Sequence, residues 1–267
     1  MDKRLARGET SSQRRLSSVT TAIHLLKSFS ADEHEIGISE LAKRLGTAKS
    51  TVHRLATTLV SEGVLEQNPE NGKYRLGIAL FGLGALVRRR MDVSNEARPY
   101  LFALRATTNE TVHLAILDGS EIMYVYNLES THAIRMRSDI GVRKPAYCTA
   151  EGQAILAFHS PDVIDQIIRR GLRARTPQTI TDPARLAKIL ELVRQRGYAI
   201  EDEESEIGMR CLAAPVRNDA AEVVAAVGVA GPVSRLSKKA IAGFIPHVIE
   251  TAASISVRLG HRARPPL

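Results

Sequence analysis

The sequence predicts an α+β chain in two parts, a small helical N-terminal domain closed by a β-hairpin and a larger C-terminal α/β domain. Three observations predict it. Residues 38–55 read ISELAKRLGTAKSTVHRL, two short amphipathic segments around a glycine. Two β-prone runs follow, Val64 to Gln67 and Lys73 to Leu76, around the turn Asn68-Pro69-Glu70-Asn71-Gly72. From about residue 94 onward, strand-like and helix-like runs alternate without an internal repeat. A chain of 267 residues is comfortable for two domains.

The opening residues, MDKRLARGETSSQRR, are polar and lack the apolar centre of a signal peptide, so residues 1–16 read as a disordered basic arm. A helix starts at Ser17 or Ser18, with Val19, Ala22, Ile23, Leu26 and Phe29 on one stripe. Ser39 is the expected N-cap of a short helix over 40–45. Ala42 lets two helices cross closely, Gly46 supplies the positive φ of a tight turn, and Val52 points the next helix inward. That helix is expected over 47–61, burying Val52, Leu55, Ala56, Leu59 and Val60, with Gly63 as its C-terminal cap. The hairpin behind it is the wing of a winged helix-turn-helix, which makes 17–76 one domain. Residues 77–92 read as a linker helix, carrying Leu80, Leu83, Leu86 and Val87 toward a partner subunit.

Residues 93–262 form the second domain and 263–267 a tail. A helix with Leu101 and Leu104 leads into strands expected at 111–117, 122–127 and 133–137. Ser160-Pro161 and Asp182-Pro183 open two helices, which Gly171 and Gly197 close. Strands follow at 210–216 and 223–229. The last helix shows Ile241, Phe244, Ile245, Val248, Ile249, Ala252, Ile255 and Leu259 on one side, with Pro246 expected to kink or split it. The sum is a mainly antiparallel sheet flanked by helices.

The net charge is +8, and residues 1–90 hold 15 Lys and Arg against 9 Asp and Glu. The excess lies with the helix-turn-helix and favours a polyanion partner, double-stranded DNA. Cys148 and Cys211 are neither a disulfide framework nor a zinc pattern, which points to a reducing cytoplasm. No apolar run approaches the ~18 residues of a membrane span, and no metal, cofactor or membrane partner is expected.

Opposite Val52 and Leu59, the second helix carries Ser50, Arg54, Thr57 and Ser61. Lys49 and Ser50 occupy the first turn, where a recognition helix meets base edges. Arg54 suits bidentate contact to guanine, worth about 1–3 kcal/mol of discrimination. Ser50, Thr51 and Thr57 are short donors for phosphate or base edges, and His53, at the flank, either touches phosphate or covers the core. Lys73 and Arg75 on the wing, Arg14 and Arg15 on the arm, and Ser39 complete the candidate DNA-binding set.

Taken together, these residues resemble the IclR family of bacterial transcriptional regulators. Ser39-Glu40-Leu41-Ala42 and residues 49–55 resemble its recognition unit, and Gly72-Lys73-Tyr74-Arg75-Leu76-Gly77 the end of its wing. Arg196-Gly197-Tyr198-Ala199, Asp202-Glu203-Glu204, residues 208–216 and Gly231-Pro232 resemble its C-terminal signatures. The resemblance implies a GAF-like effector-binding domain. It also implies a homodimer or dimer of dimers on a pseudo-palindromic operator, and control, with repression the expected sign, by a small organic acid of carbon-source or aromatic catabolism.

By the same resemblance, the effector cavity is walled by Met136, Arg137, Cys148, Thr149, Ala150, Glu151, Gly152, Glu201, Cys211, Gly228 and Ala230. Free N–H groups at the start of a helix from Thr149, with Arg135, Arg137, Arg143 and Lys144 nearby, are compatible with an anionic effector. Three positions depart from the family. Gly228 and Ala230 replace frequent hydroxyl residues, which predicts a roomier, less polar cavity. Glu151, where a small or apolar residue is common, either points to solvent or selects a ligand with a donor such as a phenol. A rival reading is an enzyme with a DNA-binding appendage, using Cys148 with His159; nothing near them supplies a third catalytic member.

Overall fold

The computed structural model describes residues 17–30, 32–89 and 92–261. The expected arm at 1–16, with Arg14 and Arg15, and the tail at 263–267 lie outside the described residues. The chain divides into two compact units, residues 1–90 and 91–267.

The first unit contains α1 (Ser17–Leu26), α2 (Ile38–Leu45), α3 (Lys49–Ser61), β1 (Leu65–Gln67), β2 (Tyr74–Leu76) and α4 (Ala79–Arg89). Its core is Leu25, Ile36, Leu41, Ala42, Val52, Ala56, Leu65 and Tyr74. Gly46 holds φ +58. With its neighbour it ends α2 by a reciprocal pair, Gly46 N–H to Lys43 O and Thr47 N–H to Ala42 O. Gly63 (φ +67) ends α3 in the same way, with Val64 N–H reaching Leu59 O at 2.9 Å. Strands β1 and β2 pair antiparallel with Leu65 opposite Leu76, and Ile36 bridges to Tyr74 beside them. Glu35 accepts hydrogen bonds from Asn68 and Asn71 in the wing turn, which hold its carboxyl below the usual value.

Two helix starts differ from expectation. Helix α2 begins at Ile38 with Gly37 as N-cap, whose carbonyl accepts the N–H groups of Glu40 and Leu41. Ser39 therefore sits inside the first turn and makes no cap. Helix α3 begins at Lys49 behind Ala48. Thr47 is spent on the turn, its hydroxyl donating to Leu45 O at 3.1 Å.

The second unit contains α5 (Asp92–Thr108), β3 (Thr111–Asp118), β4 (Glu121–Leu128), β5 (Arg143–Pro145), a 3₁₀ turn (Ala146–Cys148), α6 (Ala150–Leu156), α7 (Pro161–Arg170), α8 (Pro183–Arg196), β6 (Ala199–Asp202), β7 (Met209–Arg217), β8 (Val223–Pro232) and α9 (Lys238–Arg258). The six strands form one antiparallel sheet in the order β5-β4-β3-β8-β7-β6. Side chains alternate between its faces. Val112, Leu114, Leu212 and Val227 pack with α5 and α9 on one face. Tyr124, Ala213 and Ala226 pack with α6, α7 and α8 on the other.

The strand expected at 133–137 is absent. Its carbonyls are claimed by side chains: Thr111 donates to Met136 O and Arg235 to Ile134 O, so the segment runs as an irregular strap. The edge position goes to β5 instead. Helix α9 is not split; Pro246 lies on its exposed side within one continuous helix. By length and composition α9 could cross a membrane. Its Ile241, Val248, Ala252 and Ile255 are buried against the sheet and α5.

Candidate DNA-reading face and effector cavity

Buried Val52 and Ala56 fix which side of α3 faces outward. Lys49, Ser50, Thr51, His53, Arg54 and Thr57 are exposed, and among the described residues none of their side chains makes a hydrogen bond or ion pair. Such a surface keeps its donors available at no cost, because water satisfies them until a partner arrives. Ser39 is exposed on α2. On the wing Lys73 is free in the same sense, whereas the Arg75 guanidinium is held by Glu66 at 2.9 Å and Glu35 at 3.7 Å. Arg75 therefore braces the wing. Arg44, between Glu33 and Glu40, similarly ties α2 to the loop before it.

The second unit encloses a cavity lined by Tyr124, Met136, Lys144, Thr149, Glu151, Glu201, Ser205, Glu206, Met209 and Cys211. It is small, about 10 Å³, room for roughly one water. Met136, Thr149, Glu151, Glu201 and Cys211 are thus brought together. Arg137 is not: it is exposed on the strap. Cys148, Ala150, Gly152, Gly228 and Ala230 are packed behind the wall. Gly152 is there because a Cβ would meet Ala146 O at 2.1 Å.

Two expectations about this region change, and of the two alternatives for Glu151 one falls away. The room predicted at Gly228 is filled, since a Cβ there would lie 2.5 Å from Glu151 Oε1. Glu151 does not point to solvent; it is buried and faces the cavity. The helix start is not an open anion site, because Thr149 itself accepts the Gly152 N–H through its hydroxyl and that of Gln153 through its carbonyl. Of the cations named for an anionic effector, Arg135 pairs with Glu129, and Arg143 with Asp118 and Glu121. Lys144 alone lines the cavity, 3.4 Å from Glu206.

The two buried acids behave differently. Glu201 accepts the N–H groups of Glu204 (2.5 Å) and Ser205 (2.9 Å). Burial pushes its carboxyl up to about 7. Glu151 has no hydrogen-bond partner on either oxygen. Its Oε1 stands 3.5 Å from His113 Nδ1, inside ion-pair range but outside hydrogen-bond geometry. The His113 ring is set by Ser138 Oγ at 2.6 Å and by a tilted stack on Tyr124, centroids 4.5 Å apart.

Comparison with known proteins decides what this pair of sites belongs to. The family model "IclR helix-turn-helix domain" matches residues 18–69, and "Bacterial transcriptional regulator IclR C-terminal" matches residues 85–257. The chain belongs to the IclR family. It is 35% identical over 251 residues to the HTH-type transcriptional regulator KdgR of Escherichia coli K12, covering 94% of this chain and 95% of that protein. It is 32% identical over 246 residues to the transcriptional repressor IclR of the same organism, covering 91% and 90%. An IclR homolog from Microbacterium hydrocarbonoxydans, solved with 4-hydroxybenzoate, superposes with TM-score 0.81 at 25% identity, covering 91% of this chain and 98% of that one.

The relatives are regulators rather than enzymes, and the chemistry of this IclR-family chain agrees. Burial pushes the Cys148 thiol up to about 12, so no thiolate forms near neutral pH. Its Sγ lies 3.7 Å from Pro145 O. His113, Tyr124, Ser205, Glu206 and Met209 belong to the cavity region and escaped the sequence reading. His113 had left a signal: a polar residue in the otherwise apolar run Val112 to Leu117.

Proposed function

We propose that this ligand-responsive transcriptional regulator represses a catabolic operon as a homodimer or dimer of dimers on a pseudo-palindromic operator, and that a small organic acid controls it. Residues 17–76 read the operator, α4 with its flanking residues links, and 93–262 bind the effector. The exposed, unpartnered face of α3 carries the first half of this reading. Lys49, Ser50, Thr51, Arg54 and Thr57 contact base edges and phosphates, Lys73 adds a wing contact, and Ser39, His53, Arg14, Arg15 and Arg75 lie at the margin. The cavity lining carries the second half, with Lys144 as the partner of the effector carboxylate; since the closed cavity holds roughly one water, its walls part to admit the acid. The 4-hydroxybenzoate in the Microbacterium homolog supports an aromatic acid among the choices.

Effector binding favours one arrangement of the dimer and changes the spacing of its two DNA-binding heads. A protein reading DNA in this way works in the cytoplasm. The test is electrophoretic mobility shift on the DNA upstream of its own gene, with and without a panel of organic acids. A specific complex that an acid weakens is expected. Operator affinity indifferent to every acid would make the chain an architectural protein, and turnover of an acid by the protein would revive the enzyme reading.

A further inference from the structure

We propose that Glu151 selects the effector by accepting a hydrogen bond from a hydroxyl or ammonium group on an organic acid whose carboxylate pairs with Lys144; this rests on reading the cavity as the effector site. Three observations carry it. Glu151 is 1% exposed, and both carboxylate oxygens lack a hydrogen-bond partner. A buried carboxylate in that condition is costly unless something supplies donors. Glu201, in the same cavity, shows what internal satisfaction looks like here, with two backbone N–H groups on one oxygen. Glu151 has no such arrangement.

The surroundings are also shaped to admit this side chain. Gly228, opposite Ala213 on β7 and His113 on β3, leaves out the one Cβ that would stand 2.5 Å from Glu151 Oε1. The chain Asn127, Ser138, His113 holds the imidazole beside the carboxylate: Asn127 donates to Ser138 O, and Ser138 Oγ meets His113 Nε2. The third observation is charge. Lys144 is the cation lining the cavity, set against Glu151, Glu201 and Glu206. A ligand bearing only a carboxylate would satisfy Lys144 and leave Glu151 bare. A ligand bearing an acid and a donor satisfies both.

The experiment is isothermal titration of the full chain with two matched sets: 4-hydroxybenzoate, 4-aminobenzoate and benzoate, and 5-hydroxypentanoate, 5-aminopentanoate and pentanoate. At least one donor-bearing acid is expected to bind about tenfold more tightly than its parent, the worth of a hydrogen bond to a charged group. The hydroxyl and amino members tell the two donors apart. Glu151→Leu, similar in size and without an acceptor, is expected to erase that preference and raise the melting temperature. Gly228→Ala, which displaces the carboxylate, is expected to reduce the preference at least about threefold. Equal binding of donor and parent acids overturns the proposal and leaves the effector site standing, as does a preference that survives Glu151→Leu. A Glu151→Leu chain that fails to fold overturns it too, by making the carboxylate structural. Binding by none of the six acids overturns the effector reading of the cavity as well.

Discussion

The outer face of α3 and the cavity beside α6 both present polar atoms without partners in the chain, at very different cost. Arg54 and Lys49 are exposed, so water satisfies them and folding gains nothing by pairing them. Glu151 is buried, so the folded state bears the cost of its bare oxygens. The proposed output surface is thus built from ordinary exposed residues on a helix. The proposed input site is marked by what the fold leaves unsatisfied inside.

The contrast is sharpened most strongly by Gly152→Ala. A Cβ there meets backbone at 2.1 Å, so the second unit is expected to lose about 3 kcal/mol or more, some 6–12 °C in melting temperature. Thr57→Ala on α3 should leave the melting temperature within about 2 °C. If calorimetry found the two equal, the close packing of α6 against Ala146 would be wrong. Next in size, Arg54→Ala is expected to cost about 1–3 kcal/mol of specific operator binding, measured by fluorescence anisotropy, with acid affinity untouched. Retained operator affinity would break the assignment of the reading face.

A pH series probes the buried side. Burial lifts Glu201 and Glu204 to about 7 from an ordinary value of 4.5. The folded chain then holds protons that the unfolded chain releases. Their contribution to stability is whole below about pH 4.5 and is lost as pH rises through about 7. The melting temperature of the native chain relative to Glu201→Gln should accordingly fall between about pH 5 and pH 8. A constant difference would refute the shift. The smallest effect is expected from Lys73→Ala, a few-fold loss of operator affinity that is the same on specific and random DNA, with the salt slope reduced by about 1.

Much of the first unit was legible because its determinants are local. Gly46 and Gly63 needed positive φ, and Val52 with Ala56 followed helical spacing. The errors there were also local: Ser39 looks like a cap and Thr47 like a helix start, but Gly37 and Ala48 are the N-caps, and the Thr47 hydroxyl is taken up by Leu45 O in the turn. The second unit's sheet was visible in its apolar runs, yet the strap at 133–137 was not. Its extended composition reads as strand, while the side chains that take its carbonyls, Thr111 and Arg235, lie far away in sequence. The cavity was least legible. Glu151, His113 and Gly228 meet from three elements, and neither the missing Cβ nor the bare oxygens can be seen before the strands are in register.

If the cavity and the α3 face are coupled sites of one regulated molecule, as proposed, each must change the affinity of the other by thermodynamic linkage. Operator affinity is measured with and without a bound acid, and acid affinity with and without operator. Both are expected to change by the same factor, within the roughly 5–150-fold range usual for coupled sites. An acid that binds the protein yet leaves operator affinity unchanged would contradict it.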